Sequence, residues 1–111
     1  MTWRVELSTE VYTWYLRLSP RGKAAADRTL TRLEAHDHEL RMPHSRPLGG
    51  GLHELRFTCE GVARRITYVL DPGRQVITLT TFRKQRDNER AEILRARRAQ
   101  TRHEHEKGTT R

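Results

Sequence analysis

The chain has 111 residues, of which 32% are charged and 34% are hydrophobic, and its formal net charge is +8. A chain of this length forms one domain with a modest core. It has no apolar run of membrane-spanning length and no signal-peptide pattern, and its single cysteine excludes an intrachain disulfide, so we expect a cytoplasmic protein that has no membrane partner.

The net positive charge arises from the later part of the chain. Residues 1–40 contain six basic and six acidic side chains, so the whole net charge of +8 belongs to residues 41–111. Such an asymmetry predicts a polyanionic partner, with nucleic acid as the first candidate. An acidic protein is the alternative partner.

The first part of the chain reads as a strand followed by two helices. Residues 3–7 alternate apolar and polar side chains, which is the period of a half-buried strand. Ser8 or Thr9 is the expected N-cap of a short helix. The pair Ser19-Pro20 predicts the start of a second helix, which we expect to run to about Arg41.

The middle of the chain reads as a loop followed by three strands. The Pro- and Gly-rich segment 41–51 is predicted to be a loop with a mobile end. Apolar residues then recur at strand spacing, interrupted by the turn signals Glu60-Gly61 and Asp71-Pro72-Gly73. The predicted strands are Leu52–Thr58, Val62–Asp71 and Gln75–Phe82.

Asp87 or Asn88 is the expected cap of a last helix, which loses its periodicity at about Thr101. We therefore predict one α+β domain over residues 1–100 and a polar, frayed tail over residues 101–111. The domain comprises an N-terminal edge strand, a helical hairpin on one sheet face, a three-stranded antiparallel meander and the C-terminal helix. The other sheet face is expected to remain open as a groove.

The basic side chains of the strands are candidates for phosphate binding. Strand alternation places Glu54 and Arg56 on one face, and Arg65 joins them there if Ile66 faces the helices. Guanidinium groups donate paired hydrogen bonds to phosphate and stay charged at neutral pH. The alternative is that these arginines are solvated residues on an exposed sheet. Three further cations follow the last strand: Arg83, Lys84 and Arg86.

The histidines give only weak signals of a site. His53 is typical of a half-buried strand residue, and His36, His38 and His44 read as surface residues. His103 and His105 lie between glutamates on the expected tail, which is too little to predict a metal site. We therefore predict no metal and no cofactor.

The ordered segments GLHELRF, RRITYVLD and LTTFRKQRDNERAEILRARRA resemble the RelE/ParE superfamily of bacterial toxins, in particular its HigB-like, phage-Gp49-related branch. The resemblance covers essentially the whole chain and implies a RelE-like fold. It implies the toxin of a type II toxin–antitoxin system, acting as a ribosome-dependent endoribonuclease that cuts mRNA and inhibits translation. It also implies a cognate antitoxin of helix-turn-helix type that is encoded adjacently, with mRNA and the ribosome as the other partners.

By this resemblance, Arg56, Arg65 and Lys84 are the catalytic candidates. Arginine is a poor base, so Lys84 is preferred for proton transfer, with Glu54 or His53 as the alternatives. Two lysines of the first catalytic strand of RelE are replaced here by Glu54 and Arg56, and the tyrosine after the basic cluster is absent. RNA binding is expected from Arg64, Arg83, Arg86, Tyr68, Glu54 and His53.

Two other functions fit the same sequence. A ParE-like toxin would inhibit gyrase without nuclease activity, although members of that type generally lack a basic set like Arg56, Arg65 and Lys84. A non-catalytic nucleic-acid-binding module would place its last helix, ERAEILRARRAQTR, against phosphate and show a steep salt dependence.

Overall fold

Five strands and three helices form the part of the chain that the computed structural model describes, which is residues 2–36, 44–87 and 89–109. This confirms the predicted α+β class. None of the helices described is long and apolar enough to cross a membrane. The elements are β1 (Arg4–Glu6), α1 (Thr9–Leu16), α2 (Pro20–Ala35), β2 (Ser45–Gly49), β3 (Leu52–Cys59), β4 (Val62–Asp71), β5 (Gln75–Arg83) and α3 (Arg90–Thr109).

The strands form one sheet in the order β1-β5-β4-β3-β2. The pairs β3·β4 and β4·β5 are antiparallel, which is the predicted meander. The strand β1 lies at one edge, parallel to β5, as the alternation of residues 3–7 predicted.

The other edge strand, β2, corrects the prediction of a loop over residues 41–51. It pairs antiparallel with β3, with Ser45 opposite Leu55 and a register shift between Pro47 and Gly49. An edge strand tolerates a proline because one side of its backbone needs no partner strand. The glycines that read as a mobile end instead form the turn into β3, where Gly49, Gly50 and Gly51 adopt positive φ angles of 91°, 64° and 85°.

The helices α1 and α2 cover one sheet face. Leu33 of α2 packs against Leu55, Tyr68 and Val76 of the central strands. Each helix begins at a predicted serine cap, and the Ser19 hydroxyl accepts a hydrogen bond from the Gly22 amide at 3.1 Å. The predicted end of α2 at about Arg41 is wrong, because the helix ends at Ala35 and residue 36 has an extended backbone. Residues 37–43, including His38, lie outside the described part of the chain.

The helix α3 covers part of the opposite face, which corrects the expectation that this face is open. Ala96 and Ala99 pack on a cluster formed by Leu52, Val69, Ile77 and Leu79. The two alanines allow the helix backbone to approach the sheet closely, so a helix with a narrow apolar edge still buries it.

The helix α3 also continues past the point at which we expected it to fray. His103 lies 2.8 Å and Lys107 lies 3.4 Å from the carboxylate oxygens of Asp71, at the end of β4. These contacts hold the second half of α3 against the sheet as far as Lys107. The division of the chain at residue 100 remains a prediction, and the alternative cap Asn88 lies outside the described residues.

The turn between β3 and β4 is tied to the start of α2 by Glu60. Its Oε2 accepts hydrogen bonds from the Ser19 hydroxyl at 2.6 Å and from the Ser19 amide at 2.9 Å. These two bonds hold the pKa of Glu60 below its ordinary value of 4.5. The capping residue of α2 is therefore itself fixed by a carboxylate.

The substitution Glu60→Gln is expected to lower the free energy of unfolding more at pH 7 than near pH 3. A carboxylate with a lowered pKa in the folded state stabilises fully above its unfolded pKa, and this stabilisation is lost as the pH falls through the folded pKa. Urea unfolding of both proteins at a series of pH values measures the difference. The control Ser19→Ala, which also removes the cap itself, should cost about 1 kcal/mol at neutral pH. A difference between wild type and Glu60→Gln that does not change with pH would contradict this account.

Candidate nucleic-acid interface

Three arginines from three neighbouring strands converge on one carboxylate oxygen. Atoms of Arg46, Arg56 and Arg65 lie 3.7, 3.4 and 3.7 Å from Oε1 of Glu54. The sheet register accounts for this convergence, because Arg46 is paired with Glu54 and Arg56 is paired with Arg65. We call these four residues the Glu54 cluster.

The Glu54 cluster lies on the sheet face that α3 partly covers. Leu52 of β3 and Val69 of β4 pack against that helix, and residues two or four positions away on a strand share its face. The prediction that Arg56 and Arg65 share a face is therefore confirmed by the strand pairing. The cluster occupies the end of the face near the start of α3.

The members of the cluster differ sharply in exposure. Glu54 is completely buried and the Arg65 side chain is only 9% exposed, whereas the side chains of Arg46 and Arg56 are 48% and 45% exposed. Within the described residues, Oε2 of Glu54 and Nε of Arg65 are buried without a hydrogen-bond partner. Burying a carboxylate is costly unless positive charges lie beside it. The cluster therefore consists of a buried ion pair, Glu54 and Arg65, and two accessible guanidinium groups, those of Arg46 and Arg56.

Arg65 also lies close to a second carboxylate, that of Glu89, which precedes α3. Its Nε lies 4.0 Å from Oε2 of Glu89, and that oxygen also accepts a hydrogen bond from the Gln85 amide at 3.3 Å. Nη1 of Arg65 donates to the Arg64 carbonyl at 3.1 Å. Arg65 is thus held between two carboxylates beneath the surface.

Arg64 points to the opposite sheet face and does not join the cluster. Its guanidinium carbon lies 5.1 Å from the centroid of the Trp14 ring, and Nη2 donates to the Thr81 hydroxyl at 3.2 Å. Burial lowers the pKa of Arg64. Arg83, which is paired with Arg64, lies on the same side and is exposed.

Tyr68 and His53 also lie on the face that α2 covers. Tyr68 is 1% exposed, its hydroxyl lies 2.7 Å from the Ser45 hydroxyl, and burial raises the pKa of its phenol. The two rings are stacked with their centroids 5.2 Å apart. Both side chains therefore lie on the α2 side of the sheet, with Tyr68 buried and His53 half-buried, and the sheet separates them from the Glu54 cluster.

The remaining predicted cations lie at the end of β5. Lys84 and Arg86 are exposed, and the Lys84 amide donates to the carbonyl of Ala63 in β4 at 2.9 Å. Among the residues that the structure describes, no group of three His, Cys, Asp or Glu side chains is placed to hold a metal ion. Arg56, Arg65 and Glu54 are thus brought together, and Lys84 projects from the rim of the same sheet.

A family comparison classifies the chain. The model of the family described as phage derived protein Gp49-like (DUF891) matches residues 13–104. The chain belongs to this family. The Gp49-like family is related to RelE/HigB-type toxins and is consistent with a toxin–antitoxin module. No curated protein matches the chain.

Two residues of this candidate site were not identified from the sequence. Arg46 lies in a segment that reads as a loop, and its pairing with Glu54 depends on the edge strand β2. Glu89 reads as an ordinary acidic residue in the first turn of a helix. Arg46 reaches the site through the pairing of β2 with the next strand, and Glu89 reaches it from the start of α3. No local pattern in the chain indicates either contact.

The two arginines Arg65 and Arg56 are expected to differ strongly in their effect on stability. Arg65→Ala removes a buried partner of Glu54 and should lower the free energy of unfolding by about 2 to 3 kcal/mol. Arg56→Ala removes a half-exposed partner of the same carboxylate and should cost less than about 1 kcal/mol. Urea unfolding of the two variants provides this comparison, and equal losses of stability would contradict the difference in burial as its cause.

Proposed function

We propose that this Gp49-like protein is the toxin of a type II toxin–antitoxin system and acts as a ribosome-dependent mRNA endoribonuclease that inhibits translation. The observation that carries the proposal is the Glu54 cluster, in which half-exposed arginines lie over a buried charged pair. The relation of the family to RelE/HigB-type toxins supports the same activity. A net charge of +8 favours association with RNA in addition.

The proposed reaction is the attack of a ribose 2′-hydroxyl on the adjacent phosphate. The new bond joins the 2′-oxygen to phosphorus, and the bond to the 5′-oxygen breaks, leaving a cyclic phosphate and a 5′-hydroxyl. The reaction needs an acceptor for the 2′-hydroxyl proton, a donor to the 5′-oxygen, and positive charge beside the pentavalent phosphate.

The roles proposed for the residues follow their exposure. Arg56 has an accessible guanidinium group, which would stabilise the charge that develops on the phosphate. Arg65 would add positive charge from the buried pair beneath Arg56. Lys84 is exposed at the rim and is proposed for proton transfer. Glu54 is buried and would act through the arginines.

The proposed partners are a cognate antitoxin, mRNA and the ribosome, in the cytoplasm. We propose a helix-turn-helix antitoxin that is encoded adjacently. Tyr12 and Leu16, one turn apart on α1, are each 51% exposed, as is Leu94 on α3. Exposed apolar side chains on a protein with a net charge of +8 favour a partner chain that is both apolar and acidic.

A non-catalytic nucleic-acid-binding module is the second candidate. It is favoured by α3, which extends over residues 90–109 and carries the exposed arginines Arg90, Arg98 and Arg102. In this alternative, RNA would lie along the helix and would be bound without turnover.

Purified protein incubated with ribosomes, mRNA and tRNA is expected to cut the mRNA, with the cuts mapped by primer extension. Arg56→Ala and Lys84→Ala should each reduce the rate about a hundredfold or more, because each removes a group that acts in the transition state. The control Arg102→Ala removes an equal charge from α3 and should retain the activity.

Intact mRNA in this assay would contradict the proposed endoribonuclease activity. Loss of plasmid supercoiling before any loss of translation in cells would favour a gyrase inhibitor. RNA binding that depends on Arg102 but produces no cuts would favour the binding module.

A further inference from the structure

Arg46 is the member of the Glu54 cluster that lies on the edge strand β2, and its side chain is 48% exposed. We propose that Arg46 is a further phosphate-binding residue, and that Glu54 is the positioning residue that holds Arg46 and Arg56 as a pair over one RNA phosphate. This inference rests on the proposed function, because it names the contacts that the same site makes with its substrate.

The balance of charge in the site favours an anion at its surface. Three guanidinium groups lie near one carboxylate, and Arg65 lies near a second, that of Glu89. These five side chains carry three positive and two negative charges, and the accessible cations are Arg46 and Arg56. A phosphate between these two guanidinium groups would neutralise the surplus charge and receive paired hydrogen bonds.

The backbone that carries Arg46 is fixed on both sides. The neighbouring Ser45 hydroxyl lies 2.7 Å from the buried Tyr68 hydroxyl on the face beneath α2. On the other face, Arg97 of α3 donates to the carbonyls of Leu48 and Gly49 at 2.5 and 2.6 Å. The short edge strand β2 is therefore held in place by contacts from elsewhere in the fold. A guanidinium on a fixed backbone loses less freedom when it binds phosphate.

Glu54 itself is completely buried, so its carboxylate is not accessible for direct contact with a phosphate. Its negative charge repels RNA at long range, and neutralising it would raise affinity if charge alone decided binding. If Glu54 instead positions the two arginines, neutralising it should lower the affinity for RNA. Without the carboxylate, the guanidinium groups of Arg46 and Arg56 repel each other and lose their shared anchor, so the pair no longer matches one phosphate.

The contribution of Arg46 is tested by the binding of a fluorescein-labelled RNA hexamer whose 2′-hydroxyls are all methylated, so that it cannot be cleaved. Fluorescence anisotropy at several salt concentrations gives the affinity and its salt slope. Arg46→Ala should weaken binding about tenfold, and the magnitude of the salt slope should fall by about 0.7, the value for one phosphate contact on a single strand. Arg46→Lys should keep the slope but lose part of the affinity, because a lysine lacks the guanidinium fork.

The matched control is Arg21→Ala, which removes an exposed arginine at the start of α2. Its affinity should stay within about twofold of wild type. If Arg46→Ala behaves like Arg21→Ala, Arg46 is not a phosphate contact and the inference is overturned.

The positioning role of Glu54 is tested by a double-mutant cycle with Glu54→Gln. In the Glu54→Gln background, Arg46→Ala should change the affinity by less than about twofold, because the guanidinium pair is already disordered. An undiminished effect of Arg46→Ala in that background, or tighter binding by Glu54→Gln alone, would overturn the positioning role. Circular dichroism monitors the fold, and if Glu54→Gln does not fold, the cycle is repeated with Glu54→Asp, which keeps the charge and shortens its reach.

The outcome can be separated from that of the proposed function, because the methylated RNA reports binding and never cleavage. Arg46-dependent binding together with intact mRNA in the ribosome assay would support the phosphate site and contradict the nuclease. Ribosome-dependent cuts together with Arg46-independent binding would support the nuclease and contradict the phosphate site. A wild-type protein that does not bind the methylated RNA at low salt would overturn the inference directly.

Discussion

The burial of the Glu54 carboxylate is the constraint on which the site depends. An ionised carboxylate inside a sheet costs several kcal/mol unless positive groups surround it, and here they come from β2, β3 and β4. The same contacts that make the burial tolerable hold three guanidinium groups in fixed places. The ion pairs therefore serve both the fold and the electrostatics of the surface above them.

The two faces of the sheet give adjacent arginines different tasks. Arg64 and Arg65 are neighbours in β4, yet one lies over the Trp14 ring beneath α1 and the other lies between Glu54 and Glu89. Strand alternation alone separates them. Adjacent basic residues in a strand are thus divided between packing on Trp14 and the buried ion pair with Glu54, and a count of positive charges does not distinguish the two.

The sequence predicted what depends on a local pattern and missed what depends on contacts between elements. Alternation was sufficient to place Arg56 and Arg65 on one face, because the period of a strand is fixed by its backbone. The edge strand β2 contains Pro47 and glycines and has no alternation to detect, so only its pairing with β3 defines it. The ordered end of α3 likewise depends on the contact of His103 with Asp71, which lies in another element. The contact of Arg65 with Glu89 likewise joins two elements, and no local pattern indicates it.

The most direct measurement of the central claim is an NMR titration of the arginine Nε–Hε signals with the methylated RNA hexamer. Each signal reports one guanidinium group, so the phosphate-binding residues are identified individually. We expect the signals of Arg46 and Arg56 to shift first and together, while those of Arg98 and Arg102 on α3 shift little. Shifts that begin at Arg98 and Arg102 and leave Arg46 and Arg56 unchanged would contradict a phosphate site over Glu54 and would assign RNA binding to the helix.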